Sequence, residues 1–405
     1  MKIVRIETAL GNDISPYLMF CRVHTESGLT GVGESFYIPE AIAAVIHDWM
    51  AQRLLGANAF DIESHWRFLY ERAVNFGARG TELRALSAID LALWDIKGKA
   101  LNQPVWQLLG GRAQQGIRIY NSSGGASYDA APIEGPRYRW PGHGVVGEKG
   151  PLNDYWMAVN EPAEYARELL GEGIKAAKMW TLDFAAHKSG GPLHVEPADI
   201  EEGLEPFFKI REAVGDQLEL ILDGHGFFQL PMALRIAESL RAARPLWLED
   251  VIRPDCVDTI RDFRERSGMP LAVSEMMIGM EDYRLVLSKG AADYIMIDPT
   301  WVGGISQTLK ITDLAQCYNV PVVMHDCTGP LTLLAGVHVG IIARGNVAWQ
   351  ETLRSYLRIS YPKLVSQLPD IKEGRILAPD APGIGAELND DLFRQPGNRV
   401  RVSAL

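Results

Sequence analysis

A chain of 405 residues, 47% hydrophobic and 22% charged, has room for two or three domains and enough apolar surface for a large core. Its net charge of −11 argues against a nucleic-acid partner, which needs a basic surface, and no apolar run reaches the roughly 18 residues of a membrane span. Cys21, Cys256, Cys317 and Cys327 form no CxxC pair and MKIVRIETAL lacks a signal-peptide pattern, so reduced thiols in a cytoplasmic protein are expected.

Residues 1 to about 115 read as an α+β unit. Val4 to Ala9 and Leu18 to Thr25 alternate as strands do, and a turn at Glu26-Ser27-Gly28 leads to a third strand near Gly31 to Glu34. Helical periodicity follows through Ile38 to Leu54 and Phe60 to Phe76. It is strongest from Leu83 to Lys99, where Leu83, Leu86, Ile89, Leu93 and Ile96 share one face.

From about Gly116 the texture changes. Short apolar runs at Ile117–Tyr120, Ala176–Trp180, Leu218–Leu222, Leu246–Leu248, Leu271–Val273, Tyr294–Ile297, Val322–Met324 and Val347–Trp349 alternate with amphipathic helical stretches such as Glu161–Leu170, Ile200–Ala213, Pro231–Ala242 and Asp255–Ser267. Eight strand-helix repeats predict a closed (β/α)8 barrel over 116–375. The tail, 376–405, is expected to fold back onto the first unit. Two long connections, Gly124 to Asn160 and Thr181 to Pro197, follow barrel strands and are expected on the catalytic rim.

Three carboxylates recur at one spacing: Asp223 in LILDGHG, Glu249 in LWLEDV and Glu275 in LAVSEMM, each 26 positions from the next and each closing an apolar strand. Strand C-termini converge on one mouth of a barrel, so the three face one another there. Three such charges need a cation, and an all-oxygen set suits Mg²⁺. The next strands end in Asp298 (YIMIDPT), His325 (VVMHDCT) and Glu351 (VAWQETL). A carboxylate beside an imidazole orients it and raises its basicity, which makes Asp298 and His325 a candidate general base. In KAAKMW, Lys178 and Trp180 share a strand face; the lysine would offset carboxylate charge or hold a substrate carboxylate. Most remaining histidines are expected at the surface, with His225, two positions after Asp223, the exception. Gly303-Gly304 is expected to allow a tight turn beside the site.

The order Lys, Asp, Glu, Glu, Asp, His, Glu on successive strands, with SAIDLALWDIKGKALNQPVWQLLGG (Ser87 to Gly111) leading into the barrel, resembles the mandelate-racemase subgroup of the enolase superfamily. The resemblance implies that residues 1–115 are a capping domain completed by the tail, with specificity loops near Gly11–Tyr17 and Phe36–Pro39. It implies Mg²⁺ on Asp223, Glu249 and Glu275, base chemistry at His325 with Asp298, and Glu351 against the substrate carboxylate or the intermediate, assisting when protonated. By analogy a homo-oligomer, dimer or octamer, is expected.

Racemases of this subgroup carry Lys-x-Lys on the second barrel strand; here Lys178-Met179-Trp180 replaces the second base with a side chain that cannot exchange a proton. Asp223-Gly224-His225 is similar instead to acid-sugar dehydratases, in which the histidine protonates the departing 3-hydroxyl. The expected reaction is dehydration of an aldonate or aldarate to a 2-keto-3-deoxy acid. In that reading His325 takes the C2 proton, His225 assists departure, and Trp180 walls the substrate. The competing expectations are an epimerase or cycloisomerase using the same intermediate, and a barrel without catalysis.

Overall fold

The computed structural model describes residues 1–125, 147–343 and 346–405. Of the expected rim segment Gly124–Asn160, positions 126–146 lie outside the described residues. In the first unit, β1 (Ile3–Leu10), β2 (Leu18–Thr25) and β3 (Thr30–Phe36) pair antiparallel in chain order. Helices at Pro39–Ala44, Ile62–Ala73 and Thr81–Leu101 follow. A π-helical turn over Val45–Met50 interrupts the periodic run expected to end at Leu54.

Eight parallel strands then close on themselves: β4 (Gly116–Ser122), β5 (Ala176–Met179), β6 (Glu219–Asp223), β7 (Trp247–Glu249), β8 (Leu271–Val273), β9 (Tyr294–Ile297), β10 (Val322–Met324) and β11 (Val347–Thr352). Each pairs with the next, and β11 returns to β4 with Glu351 opposite Tyr120. The strands are almost wholly buried because helices clothe the outside and side chains fill the inside. A short hairpin, β12 (Ile371–Lys372) and β13 (Arg375–Leu377), adds to β4. The last strand, β14 (Arg399–Ala404), crosses the molecule to pair with β1. The expected loop Thr181–Pro197 is half helical, over Leu182–Lys188, because Leu182, Ala185 and Ala186 bury one face.

The long helix Thr81–Leu101 joins the two units. Asp90 on it accepts from the Ser306 backbone and hydroxyl at 3.0 and 2.6 Å. A Cβ on Gly304 would stand 2.3 Å from that carboxylate, at a backbone φ of +86°. The glycine pair thus allows the turn after Asp298, beside the site, that its sequence suggests, and also seats this helix against Gly304–Cys317. Asp95, one turn on, accepts from Val32 N and Ile384 N.

Candidate active site

The site follows from strand alternation. One side chain from each of seven barrel strands packs into an interior plug: Tyr120, Ala176, Ile221, Trp247, Ala272, Met296 and Val323, with Trp349 of β11 against it. Two residues further along a strand the side chain faces the same way. Those positions are Ser122, Lys178, Asp223, Glu249, Ser274, Asp298, His325 and Glu351. An apolar floor therefore carries a polar layer directly above it. Glu275 is one position late: Ser274 takes the equivalent place and its hydroxyl donates to Asp250 at 2.7 Å.

Asp223, Glu249 and Glu275 offer oxygens that lie within 4.8 Å of one another. Lys178 does not reach solvent; it is 2% exposed, with Nζ 3.0 Å from Asp223, 2.5 Å from Glu249 and 2.8 Å from Glu351. Burial, with Asp223, Glu351 and Glu275 adding to it against the pull of Lys178, pushes the Glu249 carboxyl well above its ordinary value. Glu351 goes the other way: Lys178 and His325 overcome burial and hold its carboxyl low, which favours the ionised form over the protonated one expected. Trp247, from the floor, donates its indole N–H to Glu249 at 3.0 Å.

His325 Nδ1 lies 2.8 Å from Asp298 Oδ2, which also accepts from the Thr328 hydroxyl at 2.6 Å. Asp298 Oδ1 accepts from Thr300 N at 2.8 Å and from its hydroxyl at 2.7 Å. The imidazole is thereby fixed with Nε2 turned inward, 3.5 Å from Glu275 and 3.8 Å from Glu351. Burial alone would lower its pKa; Glu275, Glu351 and Asp298 together reverse that and raise it well above the ordinary value.

His225, on the opposite flank, has a partner that sequence spacing did not point to. Its Nδ1 lies 3.0 Å from Asp183, a buried carboxylate on Leu182–Lys188, and its Nε2 lies 3.6 Å from Asp223. These acids outweigh burial and bring the imidazole up to about 10. The available signal was position, since Asp183 stands three residues beyond Trp180 at a strand end. Trp180 packs edge-on against His225, ring centres 5.8 Å apart, with Tyr155 behind it at 5.6 Å. The expectation for the other histidines needs correction: His47, His65 and His338 are buried, whereas His187 and His194 are exposed. His338 Nδ1 accepts from Trp106 N at 3.1 Å and its Nε2–H faces the Ile384 carbonyl at 2.9 Å, a pairing that no linear pattern announces.

The first unit reaches the barrel mouth. Tyr17 and Phe36 lean on Tyr37, whose ring meets Trp301 at 5.6 Å, and Trp301 lies 5.3 Å from the His325 ring. The result is a mouth with a dyad and aromatic wall on each flank and a carboxylate cluster between.

Residues 161–392 match the enolase C-terminal domain-like family, and residues 3–110 match the mandelate racemase/muconate lactonizing enzyme N-terminal domain. A D-galactonate dehydratase family member from Pseudarthrobacter chlorophenolicus is 29% identical over 395 residues, covering 91% of this chain and 89% of its own. D-galactonate dehydratase from Pectobacterium atrosepticum is 28% identical over 406 residues, covering 97% and 93%. The crystal structure of an enolase protein from environmental sequencing of the Sargasso Sea superposes with a TM-score of 0.87 at 33% identity, over 100% of this chain and 99% of the other.

Proposed function

Since the chain belongs to the mandelate racemase/muconate lactonizing enzyme branch of the enolase superfamily, we propose that it is a Mg²⁺-dependent dehydratase of a sugar acid, an aldonate or aldarate. The observation that carries this reading is the presence of two Asp–His pairs, the buried Asp298–His325 and the partly exposed Asp183–His225, on opposite flanks of one carboxylate cluster. Elimination of water needs a base for the C2 proton and an acid for the C3 hydroxyl. A racemase would need a base where Trp180 stands.

Asp223, Glu249 and Glu275 would hold the cation. The fit rests on their mutual spacing, on an all-oxygen donor set, and on Glu275 Oε2, a buried oxygen that accepts no hydrogen bond. Bound there, a divalent cation supplies the positive charge that lets a carbon next to a carboxylate lose its proton. Lys178 and Glu351 orient the substrate carboxylate. His325, aligned by Asp298, takes the C2 proton at Nε2. His225, kept as the imidazolium by Asp183 and Asp223, gives a proton to the departing C3 oxygen. Trp180 and Tyr155 provide a flat apolar surface for the sugar chain. The resulting enol then tautomerises to the 2-keto-3-deoxy acid. The D-galactonate dehydratase and the D-galactonate dehydratase family member among its relatives support a substrate of this class.

The test is a panel of aldonates and aldarates incubated with Mg²⁺ and assayed for 2-keto-3-deoxy acids. One or more should lose a molecule of water, and chelation should stop the reaction. A product of unchanged mass would reject dehydration in favour of an epimerase or cycloisomerase.

A further inference from the structure

Glu34 of β3, in the first unit, is fully buried against the start of the barrel helix Pro330–Ile342. The carboxyl lies so close that a Cβ on Gly329 would come within 2.5 Å of Oε1. From Glu34 a row of oxygens leads inward. Glu34 Oε1 is 2.8 Å from Thr332 Oγ1, which is 2.9 Å from Thr300 Oγ1, which is 2.7 Å from Asp298 Oδ1. Asp298 in turn holds His325. Glu34, Thr332 and Thr300 do not belong to the set of groups that touches the substrate in the proposed reaction.

Four oxygens make three contacts, and each contact needs one hydrogen. The two threonine hydroxyls supply two. The third must sit on one of the terminal carboxyls. Asp298 has no need of it, because its oxygens already accept from Thr300 N, the Thr328 hydroxyl and the His325 ring. Glu34 differs: Thr332 N–H donates to Oε1 at 2.7 Å and the Leu331 backbone also bonds the carboxyl, while Oε2 is buried without a hydrogen-bond partner. An ionised Glu34 would leave Thr332 and Thr300 in contact through two oxygens with no hydrogen between them. It would also leave half of a buried anion unsolvated.

We propose that Glu34 is held as a neutral carboxylic acid and is a positioning residue for the base. Its proton starts a one-way hydrogen-bond chain through Thr332 and Thr300 that ends on Asp298 and fixes how Asp298 presents itself to His325. Burial, against the Thr332 and Leu331 contacts and with Asp298 nearby, moves the Glu34 carboxyl up to about 7, the direction that a proton on this carboxyl requires. The chain crosses the seam between the two units, so a correct seat of the first unit on the barrel is a condition for an aligned base. Ser35, next to Glu34, ties the same seam by donating to the Thr300 carbonyl at 3.1 Å.

The kinetic part of the test rests on the dehydratase reading; the spectroscopic part does not. With Mg²⁺ present and at mildly acidic pH, an infrared difference spectrum between the native protein and Glu34→Gln should contain the C=O stretch of one protonated carboxyl. A carboxylate pair of bands in its place would mean that Glu34 merely caps the helix as an anion, and the proposal would be overturned. For any sugar acid the protein dehydrates, Thr332→Val should lower kcat by about 10- to 100-fold at unchanged KM, and Thr332→Ser should restore it. Unchanged kcat in Thr332→Val, or a matching loss in Thr332→Ser, would equally overturn it. An infrared signal without any turnover would remove the dehydratase reading and leave the protonated Glu34 standing.

Discussion

At the residue scale the proposed reaction gives the two histidines separable tasks. His325→Asn should abolish both dehydration and exchange of the C2 proton with solvent, a loss on the order of 10²–10⁴-fold for a missing general base. Asp183→Asn leaves His225 with a neutral partner and should slow dehydration while exchange continues, measured by proton NMR of the substrate in D2O. Sequence made most of these residues legible for one physical reason. Alternation along a strand places a side chain two positions above a plug residue, so Asp223, Glu249, Asp298, His325 and Glu351 announce themselves at the ends of apolar runs. Asp183, Thr300, Thr328 and Glu34 stayed hidden. Their partners are fixed by the folding of a rim helix, by turns after β9 and β10, and by docking of the first unit, none of which leaves a period in the chain.

At the element scale, two buried polar ties hold the barrel's ends. Arg354, 2% exposed beyond β11, meets Asp154 at 2.6 Å and Glu172 at 2.9 Å, and thereby pins the helix Asp154–Asn160. Replacing it with methionine leaves Asp154 buried and uncompensated, so chemical denaturation should show a loss of about 3–5 kcal/mol. The second tie is His338. Burial brings its pKa down to about 4, below an unfolded value near 6.5, so the unfolded chain binds the extra proton between those limits. Stability from this group is complete above pH 6.5 and is lost as pH falls toward 4, up to roughly 3 kcal/mol. A His338→Gln variant should show a flatter stability profile across that interval. Strand positions were readable from apolar runs, but the π turn at Val45–Met50 and the helix Leu182–Lys188 were not. Local periodicity does not record where a helix must widen or where a loop buries three apolar side chains.

At the scale of the whole molecule, the first unit, barrel and terminal strand form one hydrogen-bonded system. β14 completes the sheet of β1–β3, Asp95 joins β3 to the segment at Ile384, and Tyr37 with Trp301 closes the mouth beside His325. Binding of Mg²⁺ to the folded carboxylate cluster should raise the unfolding free energy, by about 2.7 kcal/mol at a hundredfold excess over Kd, and Glu275→Gln should weaken that response in calorimetry. The most direct test of the central claim uses His225→Asn with a sugar acid that the native protein dehydrates, with Mg²⁺ in D2O. Two dyads with separate tasks predict that deuterium enters C2 while formation of the 2-keto-3-deoxy acid nearly stops. Dehydration at the native rate, or loss of exchange together with dehydration, would contradict the assignment of base and acid to opposite flanks.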